Sequence, residues 1–324
     1  MRIIATEEHF VSPAFIDGPA RAFKDVLQKQ SFLGPKLLEQ LGDVGTNRIA
    51  EMDAAGIDVQ LISLNNPGVE QLEVAEAVAT AQETNDFLAP ALKAHPSRFF
   101  GLAAVPIQAP DAAAKELELR VKQHGFRGAI VNGHSRGRYL DDQFFSPFLA
   151  CAESLDVPIY LHPTMPQKSV MDALYGGFPM PLNFLLAGPA WGWHIETAIH
   201  VIRMVLGGVF DRHPKLQIVV GHLGEGLPFM QPRLERSLPT ALTKLQRPFG
   251  AYLRENIHYT LGSFNFPAAF LDLLLEVGVE RILFSADYPY GSMAEGRAFL
   301  DQMPVTTAGK ESIAFRNAER LFKL

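Results

Sequence analysis

One cysteine, Cys151, stands among the 324 residues. An internal disulfide is therefore impossible, and so are a CxxC redox pair and a thiolate zinc site. A reducing, cytoplasmic setting is expected. Long apolar runs are scarce as well: the uncharged stretch FPMPLNFLLAGPAWGW, from Phe178 to Trp193, carries three prolines and is too short to cross a bilayer. The N-terminus has no basic stretch followed by an apolar core, so neither a secretory leader nor membrane insertion is expected. With a net charge of −6 and no Lys/Arg stripe, the chain lacks the electrostatic footprint of a nucleic-acid binder. No GxGxxG or Walker sequence follows the first apolar segment, which argues against a doubly wound nucleotide fold. Internal repeats, Gly/Ser linkers and low-complexity tracts are also missing, so residues 1–324 are read as one domain.

Short β-rich runs, each followed by turn residues and a helical pattern, recur eight times. They are RIIATEEHF from Arg2, DVQLISLNN from Asp58, FFGLAAVPI from Phe99, GFRGAIVNG from Gly125, VPIYLHP from Val157, LQIVVGHLG from Leu216, NIHYTLGSF from Asn256 and RILFSADYP from Arg281. Helical apolar spacing is clearest in VEQLEVAEAVATAQETNDFLAPALKAH, PDAAAKELELRVKQH, FFSPFLACAESLD and IETAIHVIRMVLGGVFDRH. Eight βα units in series predict a (β/α)8 TIM barrel.

Barrel enzymes carry their chemistry at the C-terminal ends of the strands. Strand alternation places Ile3, Ala5, Glu7 and His9 on one face of the first run, with Ile4, Thr6, Glu8 and Phe10 on the other. Glu7 and His9 therefore point together. The fifth run ends in His162, the sixth in His222 and the eighth in Asp287. In a barrel these five residues converge on one mouth. Two carboxylates with two or three imidazoles suit Zn(II), Mn(II) or Fe(II), and Glu7 and His9 make better sense as metal ligands than as bare core residues. Glu8 is expected to face the barrel wall and meet a basic residue or a backbone donor. A lone histidine at a strand end is ordinarily a hydrogen-bonded rim residue, and Asp287 could cap the next helix. Several strand ends presenting ligand groups together raise the joint reading above those bland ones. Capping or surface roles suffice for His95, His124 and His213, packing suffices for His200, and His258 fits either role.

The series TEEHF, LISLNNPGV, VNG, YLHP, ETAIH, FDRHPKLQIVVGHLGEGLPF, ILFSADYPY and NAERLFKL resembles, in order and from the first strand to the last residue, the amidohydrolase-related metal-dependent decarboxylases. The likeness is strongest to the γ-resorcylate, 2,3-dihydroxybenzoate and 5-carboxyvanillate decarboxylases. It implies an amidohydrolase-like (β/α)8 barrel and one divalent metal, Zn(II) or Mn(II), held by Glu7, His9, His162 and Asp287. It also implies that His222 and Glu225 lie beside the metal and assist proton handling, and that Arg233 lies near the site. The similar enzymes form dimers and tetramers, so a homodimer or homotetramer is expected.

The reaction so implied is non-oxidative decarboxylation of an ortho-hydroxy aromatic carboxylic acid. Asp287 is the candidate acid, with His222 and Glu225 setting its protonation, although a nearby cation lowers a carboxylate's pKa. No organic cofactor is needed. Candidate substrate contacts are the aromatic residues Phe23, Trp191, Trp193, Tyr288 and Tyr290, with Asn65 and Asn132 at strand ends and Arg233 by resemblance. Ordinary packing accounts equally well for any one of the aromatic side chains. Arg136 and Arg138 could meet an anionic substituent, but loop arginines are usually solvated. The stretches Arg21–Asn47 and Met165–Gly188 resemble the family least and are expected to shape the pocket. The rival chemistry is hydrolysis of a lactone, amide or ester by metal-bound hydroxide, with Asp287 as base and His222 at the oxyanion. A metal-binding barrel without catalysis is the third reading.

Overall fold

The computed structural model describes residues 1–29 and 34–324. Residues 30–33, within the divergent Arg21–Asn47 stretch, lie outside the described residues. Eight parallel strands form one sheet in sequence order: β1 (Ile4–Phe10), β2 (Val59–Leu64), β3 (Phe99–Ala104), β4 (Phe126–Asn132), β5 (Ile159–His162), β6 (Ile218–Val220), β7 (Ile257–Thr260) and β8 (Ile282–Leu283). Apart from the rim positions Phe100 and Arg127, every strand residue is buried. Such strands, covered on both faces, read as near-continuous apolar runs.

The helices between them follow local signals. Pro110 opens Pro110–His124 where its missing N–H matters least, and Gly125 closes it at φ 77°. The run expected as one helix over Ile195–His213 is two, Gly192–Leu206 and Val209–Arg212. Gly207 and Gly208, the latter at φ 67°, divide them.

The eighth strand is much shorter than its sequence run, and the reason lies at the seam. After Leu283 the chain runs beside β1, where Thr6 N–H donates to Phe284 O at 3.1 Å and His9 N–H to Tyr288 O at 2.7 Å. The intervening donors go to a side chain: Glu8 Oε1 accepts from Ala286 N–H at 2.9 Å and Oε2 from Tyr288 N–H at 3.1 Å. Glu8 thus meets the backbone donors expected for a wall-facing carboxylate and closes the barrel. Burial pushes its pKa well up, against the two N–H bonds that favour the charge. Replacing Glu8 by Ala orphans both buried donors, a loss of about 2–4 kcal/mol. Urea denaturation should show it as a lower midpoint at unchanged slope; an unchanged midpoint would remove Glu8 from the seam.

The end of β1 is held from outside by Arg48, which is fully buried. Its Nη2 donates to His9 O at 2.6 Å and its Nε to Asp43 O at 2.6 Å. The strand carrying Glu7 and His9 is therefore pinned on both flanks.

Candidate metal centre and acid–base cluster

Inside the barrel, Tyr160 OH meets Thr260 Oγ1 at 3.1 Å, and Thr260 Oγ1–H in turn donates to Glu7 Oε2 at 2.5 Å. Ser285 Oγ reaches the same oxygen at 3.3 Å. The other oxygen, Oε1, is buried without a hydrogen-bond partner. Two glycines make room for this carboxylate: a Cβ on Gly221 would stand 2.5 Å from Glu7 Oε1, and one on Gly262 would stand 2.9 Å from Oε2.

Ligand atoms of Glu7, His9 and His162 all lie within 4.8 Å of one another, and so do those of Glu7, His222 and Asp287. The five residues expected at the mouth are thus brought together, with Glu7 common to both groups. His162 Nδ1 lies 2.9 Å from Pro163 O. A carbonyl only accepts, so Nδ1 bears the proton and Nε2 keeps a free lone pair. Burial lowers the pKa of His162 to about 3 and that of His9 to about 4, leaving both imidazoles neutral near pH 7. His9 Nδ1 is a second buried atom without a partner, while its Nε2 lies 3.1 Å from Asp287 Oδ1. Neutral imidazoles, an exposed lone pair and an unpartnered carboxylate oxygen fit a divalent cation of the Zn(II) or Mn(II) type.

Asp287 sits at φ 57°, with Oδ2 3.5 Å from Ser263 Oγ. Burial, then the charge of Glu7, pushes its pKa well above the usual carboxylate range, with His222 opposing. Among the described residues, five of the nine non-glycine residues at positive φ are His222, Leu223, Glu225, Ser263 and Asp287. Backbone strain is therefore concentrated here, where it aims side chains that relaxed loops would direct elsewhere.

His222 Nδ1 meets Glu225 Oε1 at 2.7 Å, and its Nε2 lies 3.9 Å from Glu7 Oε1. Burial works against its charge, but Glu225 and then Glu7 overcome it and raise the pKa to about 10. Burial alone would raise Glu225; the charge of His222 and bonds from His194 bring it down to about 2. Without Glu225, burial governs His222, which then loses its proton at lower pH. Glu225→Gln should therefore shift the alkaline limb of the pH–kcat/KM profile toward neutrality relative to wild type. A limb that stays in place would sever Glu225 from His222.

The other expected residues divide by location. The Trp193 ring lies 6.5 Å from that of His162 and the Tyr290 ring 5.9 Å from that of His9, centroid to centroid. Tyr290 OH donates to Asn65 Oδ1 at 2.7 Å. Asn132, paired in register with His162, is buried with both amide atoms unpartnered. Tyr288 turns the other way: Arg48 Cζ lies 4.7 Å from its ring, and it lines a cavity of about 600 Å³ with Gln40, Glu51 and the outer side of Tyr290. That cavity lacks the ligand groups. Arg233 is exposed on Leu227–Ser237, Trp191 is 54% exposed, and Phe23 packs half-buried against the core. Arg136 and Arg138 are exposed and paired with Glu73 and Asp142. His200 is buried and accepts Leu140 N–H at 2.8 Å, while buried His258 meets Arg281 at 3.0 Å.

His194, Thr260, Ser285 and Phe264 were not legible as site residues in the sequence. His194 Nδ1 lies 2.5 Å from Glu225 Oε2, and the Phe264 ring lies 5.2 Å from that of His194 and 5.1 Å from that of His222. The only sequence signal for His194 was its place just ahead of a helical pattern, which also describes an ordinary terminal residue.

With this geometry the comparisons with known proteins agree. The amidohydrolase family model matches residues 41–324. The chain belongs to that amidohydrolase family. It is 37% identical over 336 aligned residues to the γ-resorcylate decarboxylase of a Rhizobium species, covering 99% of this chain and 98% of that one. Among solved structures, the dihydroxybenzoic acid decarboxylase of a Polaromonas species, with manganese and the inhibitor 2-nitroresorcinol bound, superposes at a TM-score of 0.90 with 36% identity, over 100% of this chain and 97% of that chain. The 5-carboxyvanillate decarboxylase of Novosphingobium aromaticivorans, with manganese and 4-hydroxy-3-methoxy-5-nitrobenzoic acid, gives 0.92 with 33% identity, over 100% and 96%. Among the described residues no helix is long and apolar enough to cross a membrane.

Proposed function

We propose that this amidohydrolase-family protein is a metal-dependent carboxy-lyase that decarboxylates an ortho-hydroxy aromatic acid of the hydroxybenzoate type without oxidation. The observation that carries this reading is the placement of the Asp287 carboxylate, whose pKa burial and Glu7 raise, beside the Glu7–His9–His162 cradle and opposite the His222–Glu225 pair, in a chain related along its whole length to such decarboxylases. Glu7, His9, His162 and Asp287 are proposed to hold one divalent ion, Mn(II) or Zn(II). Manganese is favoured by its presence in the two neighbouring structures. When bound, the ion would neutralise and orient the chelating carboxylate and phenolate oxygens of the substrate.

The chain's own groups then account for the bond changes. Asp287 delivers its proton to the ring carbon bearing the carboxylate, which becomes tetrahedral. The C–C bond breaks, its electron pair returns to the ring, and carbon dioxide leaves. Charged His222, steadied by Glu225, faces Asp287 and Glu7 and supports the negative charge of the bound acid. In the metal-free chain burial and the charge of Glu7 raise the Asp287 pKa, and a cation held by the same carboxylates would oppose that rise.

Trp193 and Tyr290 are proposed to wall the ring, with Asn132 supplying the amide atoms that lack partners within the protein. Self-association is also proposed. It is supported by exposed apolar side chains on the divergent Met165–Gly188 stretch, among them Leu174, Phe178, Met180, Leu182 and Phe184. Light scattering showing a monomer would contradict it. Carbon dioxide release from a panel of ortho-hydroxybenzoates, by metal-stripped, Zn(II)-loaded and Mn(II)-loaded protein, tests the reaction. Intact acids alongside cleaved lactones or amides would favour the hydrolase chemistry.

A further inference from the structure

Glu225 has an imidazole on each oxygen. Its Oε1 lies 2.7 Å from His222 Nδ1 and its Oε2 lies 2.5 Å from His194 Nδ1. An ionised carboxylate only accepts, so both Nδ1 atoms donate to it. His194 stands in the first turn of Gly192–Leu206, and its own orientation is fixed at the far nitrogen. Nε2 lies 3.2 Å from Trp193 Nε1 and 3.0 Å from Pro189 O. If the ring is neutral, Nε2 accepts from the indole N–H; if it is charged, Nε2–H donates to the carbonyl. The ring is held in either state. Phe264 packs across His194 and His222 together, and the two imidazoles lie 4.8 Å apart, centroid to centroid.

We propose that His194 is a positioning residue that completes a His194–Glu225–His222 triad, fixing the Glu225 carboxylate so that His222 Nε2 stays directed at the reacting centre. Without His194, Oε2 of a fully buried carboxylate has no donor, and the carboxylate turns or draws in water to find one. His222 then loses the fixed acceptor that sets its ring plane. The effect on turnover rests on the decarboxylase reading; the clamp on Glu225 does not.

His194→Ala should lower kcat about 10–100-fold, the usual effect of removing an orienting partner, with metal content unchanged. KM should stay within about threefold, because the lost interaction is not with the substrate. His194→Asn, whose amide N–H can take the place of Nδ1–H, should recover most of the loss. An unchanged kcat in the Ala variant would overturn the proposal. So would a rise in KM alone, which would make His194 a substrate contact, or equal losses in the Ala and Asn variants. A readout independent of turnover is the His222 Nδ1–H proton resonance in protein labelled with 15N-histidine, assigned by its loss in His222→Gln. It should shift or vanish in His194→Ala and persist in His194→Asn. If wild type decarboxylates nothing yet the resonance behaves this way, the reaction assignment fails and the clamp stands. An unmoved resonance in His194→Ala refutes the clamp.

Discussion

Asp287→Asn is expected to lower kcat by about 10²–10⁴, the range for loss of a positioned general acid. The substitution is informative because little else changes. Asn tolerates the left-handed backbone that Asp287 adopts at φ 57° and keeps an oxygen for the Ser263 contact. It removes the ability to hold and donate a proton on a group whose pKa burial and Glu7 raise, together with one charged ligand of the proposed ion. Manganese affinity should fall less than turnover, since Glu7, His9 and His162 remain. A variant that keeps wild-type kcat once saturated with metal would reassign the acid, and His222 would be the next candidate.

Glu7→Gln should abolish the stabilisation that Mn(II) gives to the protein and most of its activity, while leaving the metal-free fold intact. A ligand at 100 times its Kd stabilises by about 2.7 kcal/mol, so wild type should show a clear metal-dependent rise in Tm. Glu7 Oε1 is buried without a partner, and the charge of Glu7 presses on Asp287. Removing that charge from the metal-free protein relieves Asp287 while weakening the Thr260 bond and the support of charged His222, so the metal-free Tm should change little beside the lost metal response. A purely structural Glu7 would behave oppositely, with the metal-free variant destabilised and metal binding preserved. Calorimetric scans of both proteins with and without Mn(II) separate the two cases.

The contrast between these residues and Tyr288 shows how far the sequence could be read. Residues in regular strands are placed by alternation alone, so Glu7 and His9 could be assigned to one face from RIIATEEHF. His162, at the end of its strand, was legible in the same way. Glu8 on the opposite face was expected to meet a basic residue or a backbone donor, and only the structure shows that the donors belong to the eighth run. That run stops pairing as a strand after Leu283, and its continuation depends on this side chain. Aromatic residues gave no such guidance. Trp193 and Tyr290 lie beside the cluster while Tyr288 faces Arg48, a division made by the turn after Asp287 rather than by composition.

The acid–base cluster was only half legible for a related reason. GHLGEG announced His222 and Glu225, but their geometry comes from five consecutive residues at positive φ, His222 to Gly226, three of them non-glycine residues that no propensity would place there. His194 reaches Glu225 only because Gly192–Leu206 begins where the divergent Met165–Gly188 stretch delivers it. Contacts between segments of separate elements leave no periodic trace in either one.

The central claim is that this site puts a proton on the carbon from which carbon dioxide departs. Turnover of a hydroxybenzoate in D2O by the Mn(II)-loaded protein tests it most directly, with the product ring analysed by NMR and carbon dioxide counted in parallel. The account predicts one deuterium at the former carboxyl-bearing carbon for each carbon dioxide released, and no turnover after chelation. Hydrolysed ester, amide or lactone without carbon dioxide, or carbon dioxide release that survives removal of the metal, would contradict it.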